Sequence, residues 1–244
     1  MANDDMTQPT KQTPRVDGLG KVTGSSVYTA DVAIPQALWA KVLRSPHPHA
    51  RILRIDATKA RAVPGVRAVI TGDDVSDTLY GRKLKDLPVL AKGVVRFIGE
   101  QVAAVAADDK ETAERAAQLI EVDYEPLTPV FDPVEAAADK GVIVHPEVHL
   151  YEGLHHPLDG PSNVFTRNEW GRGDVDAGLA SADLVVENTF STSTMHQGYM
   201  ETNNWLVWVD PDGRVQVWAS NKTPYPTRQQ ISAAIETPVE QILF

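Results

Sequence analysis

"VVRFIGEQVAAVAADDKETAERAAQLIEVDYEPL", residues 94–127, holds two apolar runs divided by Gly99, then a polar stretch, then a closing alternation. The run ending at Ala107 is short and built of small apolar residues, as a buried strand is. Asp108 or Asp109 stands where a helix N-cap belongs, and acids fill the turn that follows. Ala113, Ala116, Ala117 and Ile120 recur at helical spacing and predict an apolar stripe. "IEVDYE" leaves the helix directly as a strand, and Pro126 closes it. Strand, helix and strand in close succession predict a mixed unit in which the helix covers a sheet.

Upstream of this stretch, "ALWAKVLR" and "ARILRID" read as strands joined by a turn at Pro46 and Pro48. "DATKARAV" reads as a short helix with Asp56 or Thr58 near its start, and "VRAVITGDDV" as a strand running into a turn. Residues 15–130 are therefore expected to form one compact α+β unit, preceded by a disordered polar tail over 1–14. Downstream, residues 131–163 carry a brief helical piece and then prolines, glycines and histidines without periodicity, which is the texture of a connector laid over a surface. A second unit begins at about Val164. In it Asp174 caps a short helix running to Ala182, and a strand is expected over "LVVENTFST". "WLVWVDPDGRVQVWAS" alternates strictly about Pro211, Asp212 and Gly213 and predicts a hairpin. A helix after Pro226 and a strand in "VEQILF" complete 164–244, with too few elements to close a core, so the chain reads as cut short.

Composition narrows function. The net charge of −10 argues against a phosphate-binding surface and so against nucleic acid as a partner. The absence of cysteine excludes disulfides, thiolate metal sites and cysteine-held iron–sulfur clusters within these 244 residues. No apolar run is long enough to span a membrane, and the polar start lacks a signal pattern, so a cytoplasmic location is expected.

Three motifs invite chemistry. "GLGKVTG", with Gly18, Gly20 and Gly24, lacks the preceding strand and the spacing of a phosphate loop, and reads as a structural turn before the strand-like "SSVYTAD". His145, His149, His155 and His156, with Glu147, Glu152 and Asp159, could gather a metal ion for hydrolysis, but no helix or strand aligns them, so a solvated loop is preferred. In "STMHQGYMETNNW", residues 193–205, His196 and Glu201 are five apart, about 140° around a helix and on opposite faces of a strand, which makes them poor co-ligands. That stretch reads as a turn entering the hairpin, with Met195, Tyr199 and Met200 buried.

Taken in order, "DGLGKVTGSSVYTADV", "LRSPHPHARILRIDATKARAVPGVRAVITGDDV", "VRFIGEQVAAVAADDKETAERAAQLIEVDYEPL", "GDVDAGLASADLVVENTF", "HQGYMET" and "VWASNKTPYPTR" resemble the molybdenum-binding large subunit of the xanthine dehydrogenase and aldehyde oxidase family, which includes aerobic carbon monoxide dehydrogenases. The resemblance covers nearly everything after the tail. It implies an α+β fold: a hammerhead-type α/β domain at 15–130, then the beginning of a molybdopterin-binding domain at 164–244. It implies a hydroxylase in which a molybdenum-pterin cofactor places water-derived oxygen on an electron-poor carbon, while FAD and 2Fe-2S centres on partner subunits or domains carry electrons away. Asn221 stands at the position of the family's metal-proximal glutamine, one methylene shorter, and Gln197 and Gly198 are weaker candidates for cofactor binding. His196 and Glu201 become framework, and no catalytic residue or metal ligand is assigned. The family's Gly-rich cofactor loop and glutamate base have no counterpart here, so a second polypeptide is expected to supply the rest of the subunit, or the chain is truncated and inactive alone. The rival reading is a non-enzymatic assembly or interaction fragment. Purines, aldehydes, N-heteroaromatics and carbon monoxide are not distinguished.

Overall fold

A computed structural model describes residues 15–138 and 141–244. The expected tail over 1–14 lies outside the described residues. The elements are α1 (Gly18–Thr23), β1 (Trp39–Arg44), β2 (Ala50–Asp56), α2 (Thr58–Arg61), β3 (Val66–Thr71), β4 (Val94–Val95), β5 (Gln101–Ala107), α3 (Lys110–Gln118), β6 (Glu121–Pro126), α4 (Pro133–Ala137), α5 (Val175–Ala180), β7 (Trp205–Val209), β8 (Val215–Ala219), α6 (Pro224–Ala234) and β9 (Ile242–Leu243).

β5 is the centre of the first sheet, antiparallel to β1 on one side and β3 on the other. Its register sets Trp39 opposite Ala107 and Thr71 opposite Ala103. A second sheet runs β4-β2-β6, all antiparallel. α3 packs on β1 and β5 with the predicted stripe: Ala113, Ala116, Ala117 and Ile120 are buried. Ala116, Ala117 and Ile120 join Ala57, Ala60, Val69, Ala103 and Val105 in one apolar cluster. Alanine on both the helix and the central strand leaves little side chain to hold the two backbones apart. Val102, on the other face of β5, packs with Ala50, Ala91 and Val95 and couples the two sheets.

The cap of α3 resolves the choice left by the sequence. Asp109 accepts from the Thr112 amide at 2.7 Å and from its hydroxyl at 2.8 Å, while Asp108 holds Arg67 through two contacts at 2.7 and 2.9 Å. α2 begins at Thr58, whose amide donates to Asp56 at 2.9 Å. "GLGKVTG" departs from its reading as a turn. It is the helix α1, closed by Gly24 at φ 72°, and the following Thr29–Asp31 is a 3₁₀ turn where a strand was expected.

The third sheet is β7-β8-β9. β7 and β8 form the predicted hairpin, with Trp205 opposite Ala219 and Val209 opposite Val215. Asp210 and Arg214 bracket a three-residue loop. The Asp210 carboxylate accepts from the amides of Asp212 and Arg214, and Gly213 takes φ 80°. β9 lies parallel to β8, with α6 as the crossover, and Val215, Val217 and Ile242 are buried under Ile231. α6 starts two residues before the Pro226 expected, and of "VEQILF" only Ile242–Leu243 is extended, after a 3₁₀ turn at Val239–Gln241.

Two expectations about the second unit are overturned. α5 stands where predicted, with Asp174 accepting from the Ala177 amide at 2.9 Å, but the residues after it form no strand. Met195, Tyr199 and Met200, expected to be buried, are 84%, 54% and 98% exposed. The reason is the same in both cases. A strand needs a neighbouring edge and an apolar side chain needs a covering surface, and no described residue supplies either. Every residue from 167 to 203 is exposed.

Candidate functional site

Asn221 follows β8 closely, and Gln197 and Gly198 lie on the chain that leads into β7. β7 starts and β8 finishes at the end opposite the Asp210–Arg214 loop, so the chain preceding Trp205 and the chain following Ala219 leave from the same edge. Ser220 stitches them together. Its amide donates to the Asn204 carbonyl at 3.2 Å, its hydroxyl donates to the Thr202 carbonyl at 3.0 Å, and that same hydroxyl accepts from the Asn204 amide at 3.1 Å. This clamp ties Thr202 and Asn204, just before β7, to the residue that precedes Asn221.

Within that end, Asn221 is built into the start of α6. Its Oδ1 accepts from the Thr223 amide at 2.6 Å and from the Thr223 hydroxyl at 3.2 Å, and its Nδ2 donates to Thr227 Oγ1 at 3.0 Å. An Asx turn of this kind orients the amide plane, and of the two Nδ2 hydrogens one is engaged by Thr227. Gly198 has φ 66° with nothing within 4 Å of where a Cβ would stand. Its amide donates to His196 Nδ1 at 3.0 Å, and the His196 ring lies 4.9 Å from that of Tyr199. Gln197 and Glu201 are exposed. The structure fixes the Asn221 amide at the start of α6 and leaves Gln197 and Gly198 exposed on the segment before β7. It uses His196 to shape the Gln197–Gly198 turn, which is a framework role, and gives Glu201 no contact with His196.

The connector histidines do not converge. His155 Nδ1 meets His156 Nε2 at 2.9 Å on the surface, while the half-buried His145 Nδ1 meets the Tyr151 hydroxyl at 3.0 Å. No group of three or more His, Cys, Asp or Glu among the described residues is placed to hold a metal ion. The metal-hydrolase reading is thus left without a donor cluster. No helix among the described residues is long and apolar enough to cross a membrane.

Sequence reasoning missed the polar interface under the connector. Arg96 Nε donates to the Val144 carbonyl at 3.2 Å, Asn163 accepts from the Val144 amide at 3.0 Å and donates to the Val142 carbonyl at 2.9 Å, and Val148 is buried. Two cavities of about 220 and 300 Å³ adjoin there, sharing Asp86 and Tyr151 in their walls. No periodic signal marks such a segment, because its partners come from loops scattered over the first unit.

Comparison with known proteins places this geometry. Residues 23–128 match the model of the aldehyde oxidase and xanthine dehydrogenase a/b hammerhead domain, and residues 155–244 match that of the molybdopterin cofactor-binding domain. A probable xanthine dehydrogenase subunit of Bacillus subtilis is 34% identical over 93% of this chain and 29% of its own length. The nicotinate dehydrogenase large molybdopterin subunit of Eubacterium barkeri is 30% identical over 95% of this chain and 52% of its own. Among solved structures, the Cu,Mo-CO dehydrogenase in its carbon monoxide reduced state superposes with a TM-score of 0.77 at 31% identity, covering 94% of this chain and 30% of that one. Quinoline 2-oxidoreductase from Pseudomonas putida 86 gives 0.77 at 30%, covering 94% and 29%. The chain thus spans from under a third to about half the length of these relatives.

Proposed function

Because the chain belongs to the aldehyde oxidase and xanthine dehydrogenase family and corresponds to part of a molybdenum hydroxylase large subunit, we propose that its hairpin end contributes one wall of a molybdenum-pterin cofactor site. In this reading, residues 15–130 are the hammerhead-type unit, 131–163 the connector, and 164–244 the opening part of the cofactor-binding domain. The FAD and 2Fe-2S centres sit on partner subunits, and the complex works in the cytoplasm.

The observation that carries the proposal is the oriented amide of Asn221 just beyond the Ser220 clamp, with Gln197 and Gly198 on the chain that enters the same hairpin end. The donor set fits the group. Side-chain amides and an open left-handed glycine present N–H donors and close main-chain approach, which suits the oxo and phosphate oxygens of such a cofactor. When bound, the cofactor supplies the redox step by which an electron-poor carbon gains oxygen derived from water. Asn221 is oriented by Thr223 and Thr227 and retains an amide hydrogen to donate, which suits a role in orienting an oxygen atom by hydrogen bonding. Gln197 offers both a donor and an acceptor, and the His196 ring holds the turn on which it stands. Neither the Asn221 nor the Gln197 amide is a base, so proton removal from a substrate does not fall to these two side chains.

The test is to tag the chain in its native cell, purify it gently, and determine molybdenum content and accompanying polypeptides. Near-stoichiometric molybdenum with flavin- and iron–sulfur-bearing companions is expected. A folded chain with neither metal nor companions overturns the cofactor reading and favours an assembly fragment. Asn221→Gln should retain molybdenum and Asn221→Ala should lose most of it.

A further inference from the structure

We propose that the connector stretch 142–151 is a pH-released strap, docked on the first unit while His145 is neutral and loosened when that imidazole takes a proton. The geometry is that of a strap. Asn163 clips it at Val142 and Val144, Arg96 Nε holds the Val144 carbonyl, and the Lys85 amide donates to the Glu152 carbonyl at 2.8 Å just beyond it. Between these points the chain closes a 3₁₀ turn at Val148–Leu150, with the Val148 amide donating to the His145 carbonyl at 3.1 Å. Val148 is the buried apolar anchor, 4% exposed. His145 and Tyr151 stand at the two ends of the turn and meet over it, ring centroids 5.7 Å apart at 84°. Leu84, Val144, Val148 and Phe165 line the same cavity as the imidazole and make its surroundings apolar.

The charges facing His145 come from three places. Glu147 belongs to the strap itself, Asp86 and Arg96 to loops of the first unit, and His49 to the entry of β2, where its Nδ1 sits 2.8 Å from the Thr128 carbonyl. Asp86 and Glu147 favour a protonated imidazole, whereas burial, Arg96 and His49 oppose it. Burial is the largest of these, and the result is an imidazole held below its ordinary value of 6.5. In the undocked strap that burial is gone. Docking is then fully favourable above about pH 6.5, weakens as pH falls below it, and levels off once pH passes the docked-state value. Glu100, behind Arg96, works in the other direction. Burial raises its carboxyl, so the cost of its ionised form is relieved as pH falls, and it cannot be the source of loosening in acid. The strap links the two family-matched regions, so its release would free the junction between them.

The experiment is hydrogen exchange on the full chain between pH 7.5 and 5.5, corrected for intrinsic chemistry. Peptides within 142–151 should lose protection by up to about tenfold for each unit by which the imidazole is depressed. Peptides from β5 and α3 should not change. His145→Gln, which still offers a hydrogen bond to the Tyr151 hydroxyl but cannot titrate, should keep the strap protected at both ends of that range. Protection in the unaltered chain that is flat with pH, or loosening that survives in His145→Gln, overturns the proposal. Should His145→Gln fail to dock at all, a direct NMR titration of the His145 ring decides: a value below 6.5 supports the strap and one at or above it refutes it.

Discussion

The stretch from β5 to β6 and the stretch from 167 to 203 both carry large apolar side chains, yet in one they are packed and in the other they are bare. Val102, Ala103, Val105, Ala113, Ala116 and Ile120 are at most 6% exposed, whereas Trp170, Phe190 and Met200 are 89%, 88% and 98% exposed. Intrinsic preference does not separate them, since "LVVENTF" has at least as much β-branched and aromatic character as "QVAAVAA". What differs is the partner. β5 has a strand on each side and a helix across one face, all within the described chain, while 167–203 has none of these. Each large side chain left in water forgoes about 1.5–3 kcal/mol that burial would contribute, so the apolar residues of the bare stretch add no such term to stability.

The sharpest way to break this comparison is to cut one side chain on the buried side. Ile120→Ala removes a residue of the α3 cluster and should cost about 2–5 kcal/mol of unfolding free energy, read from the urea midpoint. A loss below about 0.5 kcal/mol would show that α3 is not a tightly packed layer and that the contrast with 167–203 is one of degree only.

A smaller effect probes the hairpin, which directly follows the bare stretch and is nevertheless closed. Gly213→Ala puts a side chain on a left-handed residue with open space around it, so only backbone strain is at stake. About 1 kcal/mol of destabilisation is expected. No loss would mean that the loop relaxes without consequence and that the β7-β8 pair is as weakly fixed as the chain before it.

Legibility followed the same division. β5, α3, β6 and the hairpin were readable because their partners are close in sequence: the Asp109 cap, the alanine stripe and the Pro211–Gly213 turn are each a local signal with a local cause. Failures came where a local signal misled or where the cause is distant. Two glycines made α1 look like a turn, although the helix is held by Gly24 in the left-handed region and by Ser25 and Ser26 donating back to the Gly20 carbonyl. The strand expected after α5 was inferred from composition, which states a preference but supplies no neighbour. The tie between the chain entering β7 and the chain leaving β8 became visible only through the Ser220 clamp.

A subtler test of the buried side uses acid. The Thr112 amide and hydroxyl donate to Asp109 and hold its carboxyl below the usual range. A carboxylate depressed in the folded state contributes stability above its unfolded value of about 4 that is lost as pH falls through the folded one. Asp109→Asn keeps a competent cap but cannot titrate, so the acid-induced fall in stability should be shallower in that variant while stability at pH 7 changes little. Identical acid profiles would assign the loss to the other depressed carboxyls, those of Asp17, Asp56, Asp74, Glu114 and Asp210.

The smallest expected effect is also the one that bears most directly on the bare stretch. Phe190→Ala removes a large aromatic side chain, and in a core that substitution costs about 3–5 kcal/mol. Here Phe190 is 88% exposed and no described residue covers it, so the free energy of unfolding should change by less than about 0.5 kcal/mol. Measured at two protein concentrations, a null result at both means that residues 167–203 are uncovered in the isolated chain. A loss that grows with concentration means that copies of the chain cover the stretch for one another, using the partnerless backbone that the first region lacks. A loss independent of concentration means that the stretch folds back on its own chain, and the division between a built region and a bare one fails.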